Sequence, residues 1–147
     1  DRLQRLGEEL GVGDVLHLSA PVSRSELADW YRAADLVAVP SYTESFGLVA
    51  VEAQASGAVV LAAQVGGLPT AVGDAGVLVP DHDPTTWAEA MLRIIDDPDL
   101  AADLRGRARR HAEGFGWSDT VDRLLDVYED AVAERSAVND EPLEVAR

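Results

Sequence analysis

The fold is decided by residues 41–57, which read SYTESFGLVAVEAQASG. The residues before this stretch, 36–40, form a continuous apolar run, which is typical of a parallel strand buried on both faces. Pro40 ends that strand because proline has no N–H to donate to the ladder. Residues 41–45 are polar and form a short segment. They fit a loop at the carboxyl end of the strand, where open α/β sheets bind their ligands.

A helix packed on the sheet is expected to begin at Phe46 and to end before Gly57, which suits the position after a helix. Its apolar residues recur at helical spacing. They are Leu48, Val51 and Ala55. The first N–H groups of such a helix, near Phe46, Gly47 and Leu48, lack partners within it and suit an anionic or hydroxyl-rich ligand.

Two glutamates, Glu44 and Glu52, lie on either side of the predicted start of this helix. Glu52 is expected about two turns beyond Glu44, so the two carboxylates would act at different depths of one cleft. A carboxylate accepts hydrogen bonds well from paired sugar hydroxyls. The spacing leaves alternatives open, because Glu44 could instead cap the helix and Glu52 could lie on a solvated helix face.

The remaining apolar runs predict the rest of the fold. Strands are expected at residues 58–62 and 75–80, with a corner at Gly66 and Gly67 between them. These glycines allow either a close approach to a ligand or a tight turn without chemical consequence. The alternation of strands and helices predicts an α/β fold with a doubly wound, mainly parallel sheet.

Helices and one strand are also predicted outside this centre. A helix at residues 1–10 and a helix at 26–34 capped by Ser25 enclose a short strand at 15–18. Asp83, Asp97 and Ser118 are expected to cap three helices near the C-terminus. The tryptophans lie on apolar helix faces and are expected in the core. They are Trp30, Trp87 and Trp117.

Composition narrows the class of protein. The chain has 147 residues, a formal net charge of −15 and no cysteine, which argues against nucleic-acid binding and excludes disulfides and thiolate metal sites. We find neither a signal peptide nor an apolar run long enough to span a membrane, so we expect a cytoplasmic protein without a transmembrane segment. The missing initiator methionine predicts a fragment of a longer protein. His82, between two aspartates, fits a turn before a capped helix better than a metal site.

The stretch from Glu44 to Glu52 resembles the paired-glutamate motif of retaining glycosyltransferases of the GT-B fold, in family 4 (glycosyl transferases group 1). Further segments recur in that family. They are residues 30–35, 39–41, 52–57, 65–69 and 115–118. The resemblance covers residues 12–135 and implies a Rossmann-like C-terminal domain, truncated at its N-terminus, with a helical C-terminal segment. Residues 1–135 would be a partial nucleotide-sugar-binding domain, and residues 136–147 a polar, frayed tail.

The resemblance also implies a site. Glu44 would be the catalytic residue that holds donor sugar hydroxyls, and Glu52 would bind the ribose. The implied donor-binding residues are Val22, Glu44, Ser45, Phe46, Gly47, Leu48, Val49 and Glu52. Val22 falls where uracil is contacted. A structural Mg²⁺ would be held by the carbonyls of Tyr31, Arg32 and Ala34 together with position 58, which is Ala58 here and usually threonine in relatives.

Within the family, the segments most resemble those of D-inositol-3-phosphate glycosyltransferases of mycothiol biosynthesis in bacteria. This implies a UDP-sugar, with N-acetylglucosamine as the sugar, as substrate, no cofactor for the chemistry, and inositol phosphate as acceptor. The expected partners are the donor and an acceptor domain upstream, together with a homodimer. The alternatives are another family 4 hexosyltransferase of envelope or glycolipid synthesis, and a non-catalytic module that binds nucleotide sugars.

Overall fold

The computed structural model describes residues 2–139 and has an α/β fold built on a parallel sheet. The strands of this sheet are β1 (Val37–Val39), β2 (Val60–Ala63) and β3 (Val77–Val79), in the order β1-β2-β3. Val37 pairs with Val60, and Leu61 pairs with Val77. The prediction of an α/β fold with a mainly parallel sheet is therefore confirmed.

Helices make up most of the remaining described chain. They are α1 (Arg2–Glu9), α2 (Arg24–Ala33), α3 (Leu48–Ala55), α4 (Leu68–Val72), α5 (Pro84–Ile95), α6 (Pro98–Glu113) and α7 (Trp117–Asn139). A 3₁₀ turn at Gly13–Val15 follows α1. Helix α7 extends to Asn139, and the rest of the predicted polar tail lies outside the described residues.

The sequential strand order places the site. Both crossovers move in the same direction across the sheet, so right-handed connections put α3 and α4 on one face, where they contact each other. All strands are parallel, so the segments that follow them leave from the same edge of the sheet. The loops after β1, β2 and β3 are thus neighbours.

The core is centred on β2, whose residues are all buried. Helix α3 covers it with small side chains, including Ala50 and Ala53, and is itself covered by α6. Gln54 is the one buried polar residue among those described. Its Nε2 donates to the Val72 carbonyl at 2.9 Å and the Ala75 carbonyl at 3.3 Å, so it ties α3 to the end of α4.

The predicted strand at residues 15–18 is wrong. Val15 ends the 3₁₀ turn, and residues 16–18 have no regular secondary structure and are exposed. A strand needs a neighbour to bond its N–H and C=O groups, and no strand of the described chain pairs with this segment.

Helix starts are partly as predicted. The Asp83 and Asp97 side chains cap α5 and α6, each with proline in the first turn, which confirms both predictions. Helix α2 is capped by Ser23, not Ser25, since the Ser23 hydroxyl accepts the Glu26 N–H. Helix α7 begins at Trp117, so Ser118 lies inside it and not at its cap.

The tryptophans separate into two groups. Trp87 is 7% exposed and its Nε1–H donates to the Asp81 carbonyl at 2.9 Å, as expected of a core residue. Trp30 and Trp117 are 53% and 86% exposed, so their predicted core positions are wrong. Helical spacing identifies an apolar face, but a face is buried only where another element covers it.

Candidate functional site

Three loops meet at the carboxyl edge of the sheet. The loop after β1 carries Glu44, the loop after β2 carries the two glycines, and the loop after β3 carries His82. The His82 Nε2 lies 3.0 Å from the Ser41 carbonyl oxygen, and the Gly67 N–H donates to the Glu44 carbonyl at 3.0 Å. The backbone of the Glu44 loop is therefore bonded to both neighbouring loops.

The glycine pair makes the contact with Glu44 sterically feasible. A Cβ atom at Gly66 would lie 1.8 Å from the Glu44 carbonyl oxygen, and one at Gly67 would lie 2.4 Å from the Ser45 carbonyl oxygen. Gly66 also has φ +52°, a conformation that favours glycine. The pair thus allows two loops to approach each other, a role that neither sequence alternative included.

Helix α3 begins at Leu48, two residues later than expected, because Gly47 is its N-cap with φ +104°. The first backbone bonds of the helix run from the Ala50 and Val51 N–H groups to the Gly47 carbonyl. Within residues 2–139, the N–H groups of residues 46–49 donate no hydrogen bond. A row of free donors at a helix start suits an anion or a hydroxyl-rich ligand.

Glu44 does not cap the helix. Gly47 holds that position, and no side chain among the described residues bonds to the first turn of α3. The Glu44 side chain is half-buried, and in the described part of the chain its carboxylate has neither a hydrogen bond nor an ion pair. The capping alternative is therefore wrong, and the carboxylate remains available to a ligand.

Glu52 lies about one turn inside α3, since the helix begins at Leu48. Its side chain is exposed but lines a cavity of about 190 Å³ between α2 and α3, with Arg24, Leu27 and Tyr31 among its other residues. Burial of the Tyr31 ring, and next the charge of Glu52, raise the pKa of the Tyr31 hydroxyl above its ordinary value. Glu52 therefore faces α2 as well as solvent.

Val22 lies next to this region. It is half-buried and lines a cavity of about 500 Å³ in which Leu27 and Trp30 also take part. Leu27 lines both cavities, so Val22 and Glu52 lie around the same part of α2. Glu44 lines neither of them. Val22 and Glu52, the predicted base and ribose contacts, thus both lie beside α2, whereas Glu44 lies on a separate loop.

Aromatic contacts hold the start of α3 from the other side. The Phe46 ring meets Phe115 edge to face at 5.5 Å, and Phe115 meets His111 in the same manner at 5.1 Å. The His111 Nε2 lies 3.0 Å from the Ala71 carbonyl oxygen, at the end of α4. The segment that links α6 and α7 is therefore packed against the Glu44 loop.

The predicted Mg²⁺ ligands fit a hard cation poorly. The carbonyls of Tyr31, Arg32 and Ala34 lie at the end of α2, and Ala58 lies two residues before Val60, which pairs with Val37. Ala58 is buried and has a methyl group where an oxygen ligand is required. No cluster of three acidic, histidine or cysteine residues occurs among the described residues. The metal stays a prediction.

Sequence reasoning missed the contact between Tyr42 and His82. Their rings stack with centroids 4.1 Å apart and planes 7° apart. The residues are forty positions apart, so no local pattern joins them. Only the predicted topology could have indicated this contact, because Tyr42 and His82 each follow a strand of the same parallel sheet, and such strands end at the same edge.

Comparison with known proteins then gives the family. A family model described as glycosyl transferases group 1 matches residues 1–111. The chain belongs to that family. Its glycosyl transferases group 1 relatives include D-inositol 3-phosphate glycosyltransferase 1 of Catenulispora acidiphila, which is 56% identical over 134 residues, or 90% of this chain and 32% of the relative. The D-inositol 3-phosphate glycosyltransferase of Thermobispora bispora is 56% identical over 132 residues, or 88% and 31%.

The chain thus spans about a third of the length of the curated relatives it matches. Among solved structures, sucrose-phosphate synthase from Thermosynechococcus elongatus superimposes with a TM-score of 0.79 at 35% identity, over 90% of this chain and 34% of that one. WaaG, a glycosyltransferase involved in lipopolysaccharide biosynthesis, has a TM-score of 0.73 at 24% identity, over 86% and 34%. These neighbours confirm the GT-B type of fold. Among the described residues, no helix is both long and apolar enough to cross a membrane.

Proposed function

We propose that this chain is the donor-binding half of a retaining family 4 glycosyltransferase that moves N-acetylglucosamine from its UDP-activated form to inositol phosphate. One observation carries the proposal: the Glu44 carboxylate, which has no partner among the described residues, lies on a loop bonded to the loops after β2 and β3, beside N–H groups that donate no bond in the described chain. The names of the relatives from C. acidiphila and T. bispora support the acceptor.

In this proposal Glu44 accepts hydrogen bonds from hydroxyls of the donor sugar. The free N–H groups at residues 46–49 bind an oxygen of the diphosphate, and the exposed Ser45 adds a hydroxyl. A loop fixed by its neighbours favours donor binding, because hydrogen-bonding groups that are already oriented need no reorganisation when the ligand binds.

Glu52 would accept the ribose hydroxyls, and the loop that contains Val22 would contact the base. Support comes from Leu27, which lines both the cavity at Glu52 and the cavity at Val22. Ribose hydroxyls bound by an exposed carboxylate leave the nucleotide at the surface of this half. We therefore propose that a second, acceptor-binding domain closes the site.

The net charge of the chain also supports separate roles for the donor-binding half and the acceptor domain. The donor is anionic and the chain has a net charge of −15, so positive charge that stabilises the departing UDP would come from the acceptor-domain side. The chain alone would bind the donor weakly and transfer nothing. We propose no cofactor for the chemistry, and a cytoplasmic location and a homodimer also remain predictions.

Binding to the chain itself tests the site. We expect calorimetry or ligand-detected NMR to show that Glu52→Gln weakens UDP about tenfold or more, the usual scale for a lost hydrogen bond to a charged group. Glu44→Gln should weaken UDP-N-acetylglucosamine by a similar factor and leave UDP unchanged. Glu89→Gln, an exposed carboxylate on α5, is the matched control. Equal affinities in all variants would contradict the assignment of both glutamates.

Turnover tests the reaction. The chain is joined to the acceptor domain of the C. acidiphila relative and supplied with UDP- and GDP-sugars, with and without inositol phosphate. Release of UDP that requires inositol phosphate and is lost in Glu44→Ala supports the proposal. Transfer only to other acceptors would indicate another family 4 hexosyltransferase. Donor binding without any transfer would indicate a nucleotide-sugar-binding module.

A further inference from the structure

His82 contacts the Glu44 loop in two ways. Its Nε2 lies 3.0 Å from the Ser41 carbonyl oxygen, and its ring stacks on Tyr42 at 4.1 Å with nearly parallel planes. A carbonyl oxygen only accepts, so the Nε2 atom carries the proton and donates. Tyr42 itself is 80% exposed.

The local turn does not need the His82 side chain. Asp81 already closes that turn, since its Oδ1 accepts the Asp83 N–H at 3.0 Å and its Oδ2 lies 3.4 Å from the Thr86 hydroxyl. The Asp83 carboxylate accepts the Thr85 N–H at 2.7 Å as the cap of α5. Both flanking carboxylates are thus engaged within their own segment, whereas the His82 side chain reaches the loop after β1.

A second restraint on the Glu44 loop is the Gly67 N–H, which donates to the Glu44 carbonyl at 3.0 Å. The two restraints come from the loops after β3 and β2, and act at Ser41 and Glu44, three residues apart. Two fixed backbone points so close in sequence leave little freedom for the residues between them. Removal of either restraint would therefore let the Glu44 carboxylate move.

We propose that His82 is a positioning residue for donor binding: through Ser41 and Tyr42 it orients the loop that presents Glu44 to the donor sugar. This inference rests on the proposed function. It predicts that loss of His82 acts mainly on the sugar increment of binding, the difference in affinity between UDP-N-acetylglucosamine and UDP. The groups proposed to bind UDP are held elsewhere, since Glu52 and Val22 lie on other segments and Phe46, at the start of the row of N–H groups, packs on Phe115. His82 touches no reacting atom in this scheme.

Three variants separate the contacts of His82. His82→Gln keeps an N–H donor near the Nε2 position and removes the ring, His82→Phe keeps a ring for Tyr42 and removes the donor, and His82→Ala removes both. His17→Ala, in the exposed segment after α1, is the matched control. The readouts are the affinities for UDP and UDP-N-acetylglucosamine, and hydrogen exchange of the Gly67 amide in the absence of nucleotide.

We expect His82→Ala to weaken UDP-N-acetylglucosamine about tenfold and UDP less than twofold. Exchange at Gly67 should accelerate about tenfold relative to the Val37 amide, which bonds to Val59 in the sheet and serves as the reference away from His82. The Gln and Phe variants should each restore part of both effects.

Two results would overturn the role of His82. One is an unchanged sugar increment and unchanged Gly67 exchange in His82→Ala. The other is an equal fall in both affinities with parallel acceleration at Gly67 and Val37, which would show a general loss of stability. A wild-type chain that binds neither ligand would overturn the proposed function, and with it the donor role of His82, whereas the first two results leave the proposed function standing.

Discussion

Strand β2 and the segment at residues 15–18 have similarly apolar sequences, but only β2 is a buried strand. Residues 60–63 read VLAA and are buried throughout, while residues 15–18 read VLHL and are exposed. Strand β2 has a parallel neighbour on each side, and α3 and α4 contact it. An apolar run therefore becomes a strand only where neighbouring elements bond its backbone and cover its side chains.

The exposed segment is not without contacts. Leu16 covers Gly7 of α1 so closely that a Cβ atom at Gly7 would lie 2.6 Å from Leu16 Cδ2. Leu18 is 47% exposed. Residues 15–18 thus fold back locally on α1, and their apolar surface contributes little to the core. Substitutions in the two regions should therefore differ in cost even when the chemistry is the same.

Leucine-to-alanine substitutions are expected to show the largest difference in unfolding free energy between the two regions. Leu61→Ala removes a fully buried side chain from the middle of β2 and should lower the free energy of unfolding by about 2–5 kcal/mol. Leu18→Ala should lower it by less than about 0.5 kcal/mol, as for most surface changes. Urea denaturation followed by circular dichroism measures both. Similar costs would show that residues 15–18 are as well packed as β2.

A smaller difference is expected for glycine to alanine. Gly66→Ala combines positive φ with a collision at the Glu44 carbonyl and should cost roughly 3 kcal/mol, with loss of sugar binding if the Glu44 loop is displaced. Gly11→Ala, at φ +71° with no atom near the new Cβ, should cost only about 1 kcal/mol. The same denaturation series applies. A Gly66→Ala protein as stable as Gly11→Ala would contradict the close loop contact.

The smallest effect concerns pH. The pKa of Asp83 lies below the ordinary aspartate value of about 3.9, chiefly because its carboxylate accepts the Thr85 N–H. A lowered folded-state pKa means that the stabilising contribution is present above that ordinary value and is lost as pH falls through the folded-state value.

Asp83→Asn keeps a good cap and removes this titration. Its melting temperature should therefore fall slightly less between pH 7 and pH 3 than that of the wild type. Asp14→Asn, in the 3₁₀ turn of the exposed segment, is the control. The prediction fails if Asp83→Asn and wild type lose the same amount over this range.

Most of the fold was predictable because it depends on local chemistry. The Asp83 and Asp97 caps, the positive φ of Gly57 after α3 and the parallel arrangement of the sheet all follow from short patterns. The start of α3 was predicted two residues early, because Gly47 is its N-cap in a left-handed conformation, packed closely against Leu68 and Ala71 of α4.

The candidate site, too, was only partly predictable from the sequence. The sequence identified the Glu44 loop as the ligand-binding corner, because a buried strand followed by a short polar loop and a helix indicates the carboxyl edge of an α/β sheet. It could not decide whether Glu44 caps α3, which depends on where that helix begins. It also could not show that Gly66 contacts Glu44 or that His82 contacts Ser41.

By itself, then, the sequence determined the α/β class, the position of the glutamate loop and the two helix caps at Asp83 and Asp97. These properties depend on residues within a few positions of one another. Only the tertiary structure decided which apolar run is a strand, which tryptophan is buried, and which loops hold Glu44. Each of these depends on what lies next to a residue in space, and the two loop contacts join residues 23 and 41 positions apart, Gly67 with Glu44 and His82 with Ser41.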